Sequence, residues 1–79
     1  MATPPATALK KRSVSIAGHS TSVTLEQAFW DALKDAAMRR GVSVSALIAE
    51  IDQARPADAG APNLSSAIRV YVLRTVQGA

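Results

Sequence analysis

The stretch TSVTLEQAFWDALKDAAMRRGVSVSALI, Thr21 to Ile48, decides the fold. Its opening, Thr21-Ser22-Val23-Thr24-Leu25, alternates polar and apolar residues and puts Val23 and Leu25 on one side of a short strand. The period then changes. Phe29, Trp30, Leu33, Ala36 and Ala37 recur at helical spacing, and Thr24 followed by Gln27 fits a capping box, so a helix is expected from about Leu25 to Arg40. Arg39 and Arg40 suit its negative C-terminal end, and Gly41 is placed to leave it in a left-handed conformation. Ser43 is a good N-cap for a second helix with Leu47, Ile48 and Ile51 on one face.

Working outward, Arg12 to Ala17 is a second alternating run, with Val14 and Ile16 on one face. The apolar parity changes from even to odd across residues 17–20, so one flat continuous strand would split its apolar side chains between two faces; Gly18 marks a turn or bulge between two strands. Upstream, Met1 to Leu9 is rich in Ala, Thr and Pro and is expected to be a disordered tail. Downstream, Arg55-Pro56 stops the second helix, because a residue before proline avoids helical geometry. Residues 55–63 read as an inserted surface loop within one domain over 10–77. Leu64 to Val76 fits two patterns. Ile68, Val70 and Val72 alternate as in a strand, whereas Leu64, Ile68, Tyr71, Val72 and Thr75 share a helical face; Asn63 as N-cap and the small residues Ser65, Ser66 and Ala67 tip the reading to helix.

Seventy-nine residues make at most one small domain, and a chain of this size often needs disulfides, a metal or a partner subunit. No cysteine is present and the single histidine, His19, cannot build a zinc cage, so oligomerisation is the favoured route and no cofactor or metal is expected. No run is long enough to span a bilayer and no secretory leader is legible, which points to a soluble, cytoplasmic protein. Lys10, Lys11 and Arg12 are the only charged residues before Glu26, and from there on six basic residues balance six acidic ones, so the whole net charge of +3 sits near the N-terminus. A two-fold dimer would bring two such clusters together, as a polyanion partner requires; the plainer reading is a solubilising tail.

Catalysis has little support. The four glycines are isolated, so there is no phosphate-binding loop, and His19 lacks a plausible triad. His19 at a turn reads first as a polar turn residue and second as a phosphate or base contact. Trp30, Tyr71 and Met38 read as packing residues, and Asp31 and Asp35, with Lys34 and Arg39 beside them, as a solvated helix face.

A strand, a helix, a Gly-x-Ser turn and a second helix within 35 residues resembles the ribbon-helix-helix fold of the Arc and MetJ repressors. The span from Lys11 to Leu73, opening on Lys11-Arg12-Ser13-Val14-Ser15-Ile16-Ala17-Gly18-His19 and ending on Asn63-Leu64-Ser65-Ser66-Ala67-Ile68-Arg69-Val70-Tyr71-Val72-Leu73, is also similar to a bacterial ribbon-helix-helix subfamily of mostly unassigned role. The resemblance implies a mainly α fold with a short β-ribbon, in an intertwined homodimer whose strands pair antiparallel between subunits and lie in the DNA major groove. It implies a dimer core of Val23, Leu25, Phe29, Trp30, Leu33, Leu47, Ile48 and Ile51, with too little to bury against inside one subunit. It directs Ser20, Ser22 and Thr24 to bases, and sets Lys10, Lys11, Arg12, Ser43, Val44 and Ser45 against phosphates.

Two departures stand out. Ser22 and Thr24 are shorter than the side chains that usually read bases, and the loop interrupts what is normally one second helix. The asymmetric charge favours a dimeric DNA-binding transcriptional regulator, a repressor in the simplest case, and the short ribbon side chains favour the alternative. The alternative is a protein-interaction or dimerisation module that has lost base readout and uses residues 55–76 for its partner.

Overall fold

A computed structural model describes residues 5–16, 18–55 and 64–78. Two strands, β1 (Leu9–Ile16) and β2 (His19–Glu26), form an antiparallel hairpin, followed by the helices α1 (Gln27–Arg40), α2 (Val44–Ala54) and α3 (Leu64–Val76). The hairpin explains the switch in parity. Ile16 faces His19, Val14 faces Thr21 and Arg12 faces Val23, so even-numbered residues of β1 stand opposite odd-numbered residues of β2. Opposed residues share a face in an antiparallel pair, and both apolar sets therefore reach the same side. Gly18, at φ +83°, lies in the tight connection, where a left-handed backbone favours glycine.

The ribbon's antiparallel partner strand thus comes from the same chain, and each strand keeps its other edge outside the ladder. Val14, Ile16, Val23 and Leu25 pack from the ribbon onto Trp30, Leu33, Ala36 and Ala37 of α1, Leu47, Ile48 and Ile51 of α2, and Ile68 and Val72 of α3. Seven of the eight residues expected in a dimer core are buried within a single chain, and Phe29 is half-buried. That corrects the expectation that one subunit offers too little to bury against. β1 supplies a second strand and α3 a third helix, and together they close the core without a partner.

Three local details also depart from expectation. Thr24 lies inside β2, Glu26 is the N-cap of α1, and its side chain makes no capping bond, so the Thr24–Gln27 capping box does not form. The orphan amides of the first turn are met by backbone instead: Gln27 donates to the Ala8 carbonyl at 2.8 Å and Ala28 to the Ala6 carbonyl at 3.0 Å. Residues 5–9 of the expected disordered tail are ordered instead: Leu9 opens β1 and residues 5–8 fold back over the start of α1, while residues 1–4 lie outside the described residues.

The signals at Gly41, Ser43 and Arg55 behave as read. Gly41, at φ +69°, closes α1, with its N–H directed at the carbonyls of Ala37 and Met38. The Ser43 hydroxyl accepts the Ala46 N–H at 3.0 Å, and Arg55 ends α2 in an extended conformation. Leu64–Val76 is a helix despite its β-branched residues, because burying Ile68 and Val72 on one face outweighs a weak strand preference. Asn63 and residues 56–62 of the inserted loop lie outside the described residues.

Candidate functional site

The outer face of the ribbon is a field of hydroxyls. Ser13 stands opposite Ser22, Ser15 opposite Ser20, and Lys11 opposite Thr24. All are exposed except Thr24, which is half-buried. The three residues expected to face outward, Ser20, Ser22 and Thr24, do share one face, and β1 adds Lys11, Ser13 and Ser15 beside them. The alternation of Arg12 to Ala17 already carried that signal, but only the register shows which strand lies next to which.

The basic cluster is divided between the faces. Lys11 shares the hydroxyl face, whereas Lys10 and Arg12 have the opposite parity. Arg12 lays its guanidinium over the Trp30 ring, 5.4 Å from the centroid, and the Trp30 indole Nε1–H donates to the Lys10 carbonyl at 2.9 Å. Trp30 is a core residue, as expected, with the added job of fixing β1 against α1. His19 is exposed at the ribbon tip, opposite Ile16.

The start of α2 is a second polar feature. Ser43 caps it through Ala46, which leaves the amides of Val44 and Ser45 as first-turn donors without an intrahelical acceptor. Val44 also lines an open hollow of about 520 Å³ together with Arg12, Ser13, Val14, Trp30 and Lys34, so the ribbon, α1 and the start of α2 meet there.

The helices neutralise most of their own charge. Arg39 pairs with Asp35 at 3.0 Å, Arg40 with Glu50 at 2.9 Å, Arg55 with Asp52 at 2.6 Å, and Arg69 with Glu26 at 3.0 Å. The Arg69 contact ties α3 to the end of β2, and the same guanidinium lies 5.9 Å from the Phe29 ring centroid. An internal backbone hydrogen bond and the Arg69 contact hold the Glu26 carboxyl below its ordinary value, while Glu50 and Tyr71 favour the charged form of Arg40. Among the described residues, the lysines and arginines without an ion pair are Lys10, Lys11, Arg12, Lys34 and Arg74. Four of these five lie on β1 or on the part of α1 beside it.

Asp31 and Asp35 form a solvated helix face: the Gln27 amide donates to Asp31 at 2.9 Å, and Asp35 holds Arg39. No group of three potential metal-ligating side chains occurs among the described residues, and no helix there is long and apolar enough to cross a membrane.

Comparison with known proteins agrees with this architecture. A solved structure of an uncharacterized protein from Bordetella pertussis Tohama I superposes with a TM-score of 0.77 at 37% identity. The match covers 91% of this chain but 58% of the other, so the chain spans a little over half the length of that relative. No curated protein sequence matches. Residues 9–76 match the ribbon-helix-helix domain, a family whose members are generally dimeric, non-enzymatic DNA-binding regulators. With a two-stranded antiparallel ribbon leading into packed helices over that same span, the chain belongs to the ribbon-helix-helix domain family.

Proposed function

We propose that this chain is a DNA-binding transcriptional regulator that acts as a homodimer, with the hydroxyl face of its ribbon in the major groove. The observation that carries the reading is the segregation of side chains around the ribbon. One face buries Val14, Ile16, Val23 and Leu25 in the core, the other presents Ser13, Ser15, Ser20, Ser22 and Thr24, and unpaired cations cluster beside it. Hydroxyls donate or accept single hydrogen bonds at base edges, so readout is permissive, and phosphate contacts supply most of the affinity. Lys10, Lys11 and Arg12 reach phosphates from β1, and the Val44 and Ser45 amides, with Ser43, receive another at the positive end of α2. His19 extends the contact at the ribbon tip. The free strand edges permit antiparallel pairing between copies, and a cytoplasmic repressor is the simplest setting.

Fluorescence anisotropy on a labelled duplex across a salt series tests the reading. Replacing Lys10 and Lys11 by Gln should weaken binding to random and preferred sequences alike and flatten the log–log salt slope by about 0.9 for each phosphate that is no longer neutralised. Binding of the wild type that does not depend on salt, or no binding at all, would reject it. Sedimentation of the free protein tests the dimer, for which a monomer at micromolar concentration would be the contrary result.

One observation favours the second reading, a protein-interaction module. Val70, Leu73 and Val76 are exposed on α3, on the side away from the core. A partner docking there would account for them without any role for the ribbon hydroxyls.

A further inference from the structure

We propose that the hollow between β1 and α1 is a seat for a phosphate group, with Lys34 and Arg12 as its two charged walls. Three elements build it: Arg12, Ser13 and Val14 from β1, Trp30 and Lys34 from α1, and Val44 from the start of α2. Lys34 reads in the sequence as part of a solvated face shared with Asp31 and Asp35. In the fold those acids are engaged elsewhere, Asp31 by the Gln27 amide and Asp35 by Arg39, and among the described residues no carboxylate lies within ion-pairing distance of Lys34 or Arg12.

The chemistry suits a tetrahedral oxyanion. Arg12 is held over the Trp30 ring, which orders the guanidinium and leaves its N–H edge free for two parallel hydrogen bonds to phosphate oxygens. Lys34 is exposed on α1 one helical turn beyond Trp30 and contributes a mobile ammonium from the opposite wall. The rim at Val44 adds the positive end of a helix, which raises the potential without adding a side chain.

The phosphate has two sources of the same chemistry: a backbone phosphate of bound DNA, or a free phosphate or phosphorylated small molecule. The first rests on the DNA-binding reading and deepens it by adding Lys34, a residue of α1, to the contacts of ribbon and α2. The second does not depend on that reading.

The test uses the full chain, Lys34→Gln, and Arg39→Gln as a control that removes an equal charge from the same helix outside the hollow. Both positions are exposed, so both variants should keep the fold and its melting temperature. In the DNA arm, Lys34→Gln should bind a labelled duplex several-fold more weakly, with a salt slope shallower by about 0.9 per chain, while Arg39→Gln keeps the wild-type slope. In the second arm, inorganic phosphate is titrated against chloride at matched ionic strength, read by the emission of Trp30, the only tryptophan and the floor of the hollow. A saturable change in the wild type and in Arg39→Gln that is lost in Lys34→Gln supports the seat whether or not DNA binds. Absence of DNA binding by the wild type rejects the DNA reading and leaves the phosphate arm to decide. Equal slopes for the two variants, together with no saturable phosphate response, overturn the proposal.

Discussion

The two faces of the β-ribbon are woven from alternate residues of the same short segments, yet they obey different constraints. On the inner face Val14, Ile16, Val23 and Leu25 are buried, and every atom removed there opens a gap against α1, α2 or α3. On the outer face Ser13, Ser15, Ser20 and Ser22 are exposed and support nothing beneath them. A side-chain period of two lets one strand pair satisfy the core with half its residues and leave the other half free for a partner. The contrast teaches how a domain this small can carry a binding surface without weakening its core: the outer hydroxyls take no position that the core uses, and on the inner face the exposed Lys10 and Arg12, the latter packed on Trp30, stand among core residues.

The contrast is most easily broken from beneath. Trp30 lies under the inner face, bonds the Lys10 carbonyl and carries Arg12, so Trp30→Ala should cost about 3 to 5 kcal/mol through lost burial and the cavity left behind. Chemical denaturation should show a large fall in midpoint, and a midpoint near the wild type would mean that the inner face does not depend on its floor. The two faces are compared directly by Leu25→Ala and Ser22→Ala, which sit close together on one strand. The first should cost about 2 to 5 kcal/mol and the second should stay within about 0.5 kcal/mol. Similar losses for the pair would contradict the hairpin register.

Not every serine is dispensable, and Ser43 sharpens the point. Its hydroxyl holds the Ala46 N–H at the start of α2, so Ser43→Ala should destabilise by about 1 kcal/mol, visible as a shifted thermal midpoint that Ser22→Ala lacks. The smallest effect is expected where the ribbon meets α3. Glu26 has its acidity enhanced by its own backbone N–H and by Arg69, so its folded value lies below its unfolded one. A depressed carboxyl contributes stability above its unfolded value and loses it as pH falls through the folded value. Acid titration of the wild type should therefore show a slight extra loss of stability below the ordinary carboxylate range, absent in Glu26→Gln. Identical acid profiles would show that the contact contributes nothing, as exposed ion pairs often do.

By itself the sequence determined whatever depends on neighbours in the chain. The alternation in both strands, the helical stripe of α1, the stop at Gly41, the cap at Ser43 and the end of α2 before Pro56 were all legible, because each is set by local sterics or by a hydrogen bond spanning a few residues. The direction of Ser20, Ser22 and Thr24 followed from the same period. Only the tertiary structure decided who pairs with whom. Nothing local says that β2 finds its partner in β1 of the same chain, or that the Ala8 carbonyl meets the Gln27 amide that Thr24 was expected to cap. Nor does it say that Arg12 leaves its basic neighbours to lie on Trp30, and that Lys34 shares a hollow with it. These outcomes depend on contacts between residues far apart in sequence, whose worth is known only once a common core has brought them together.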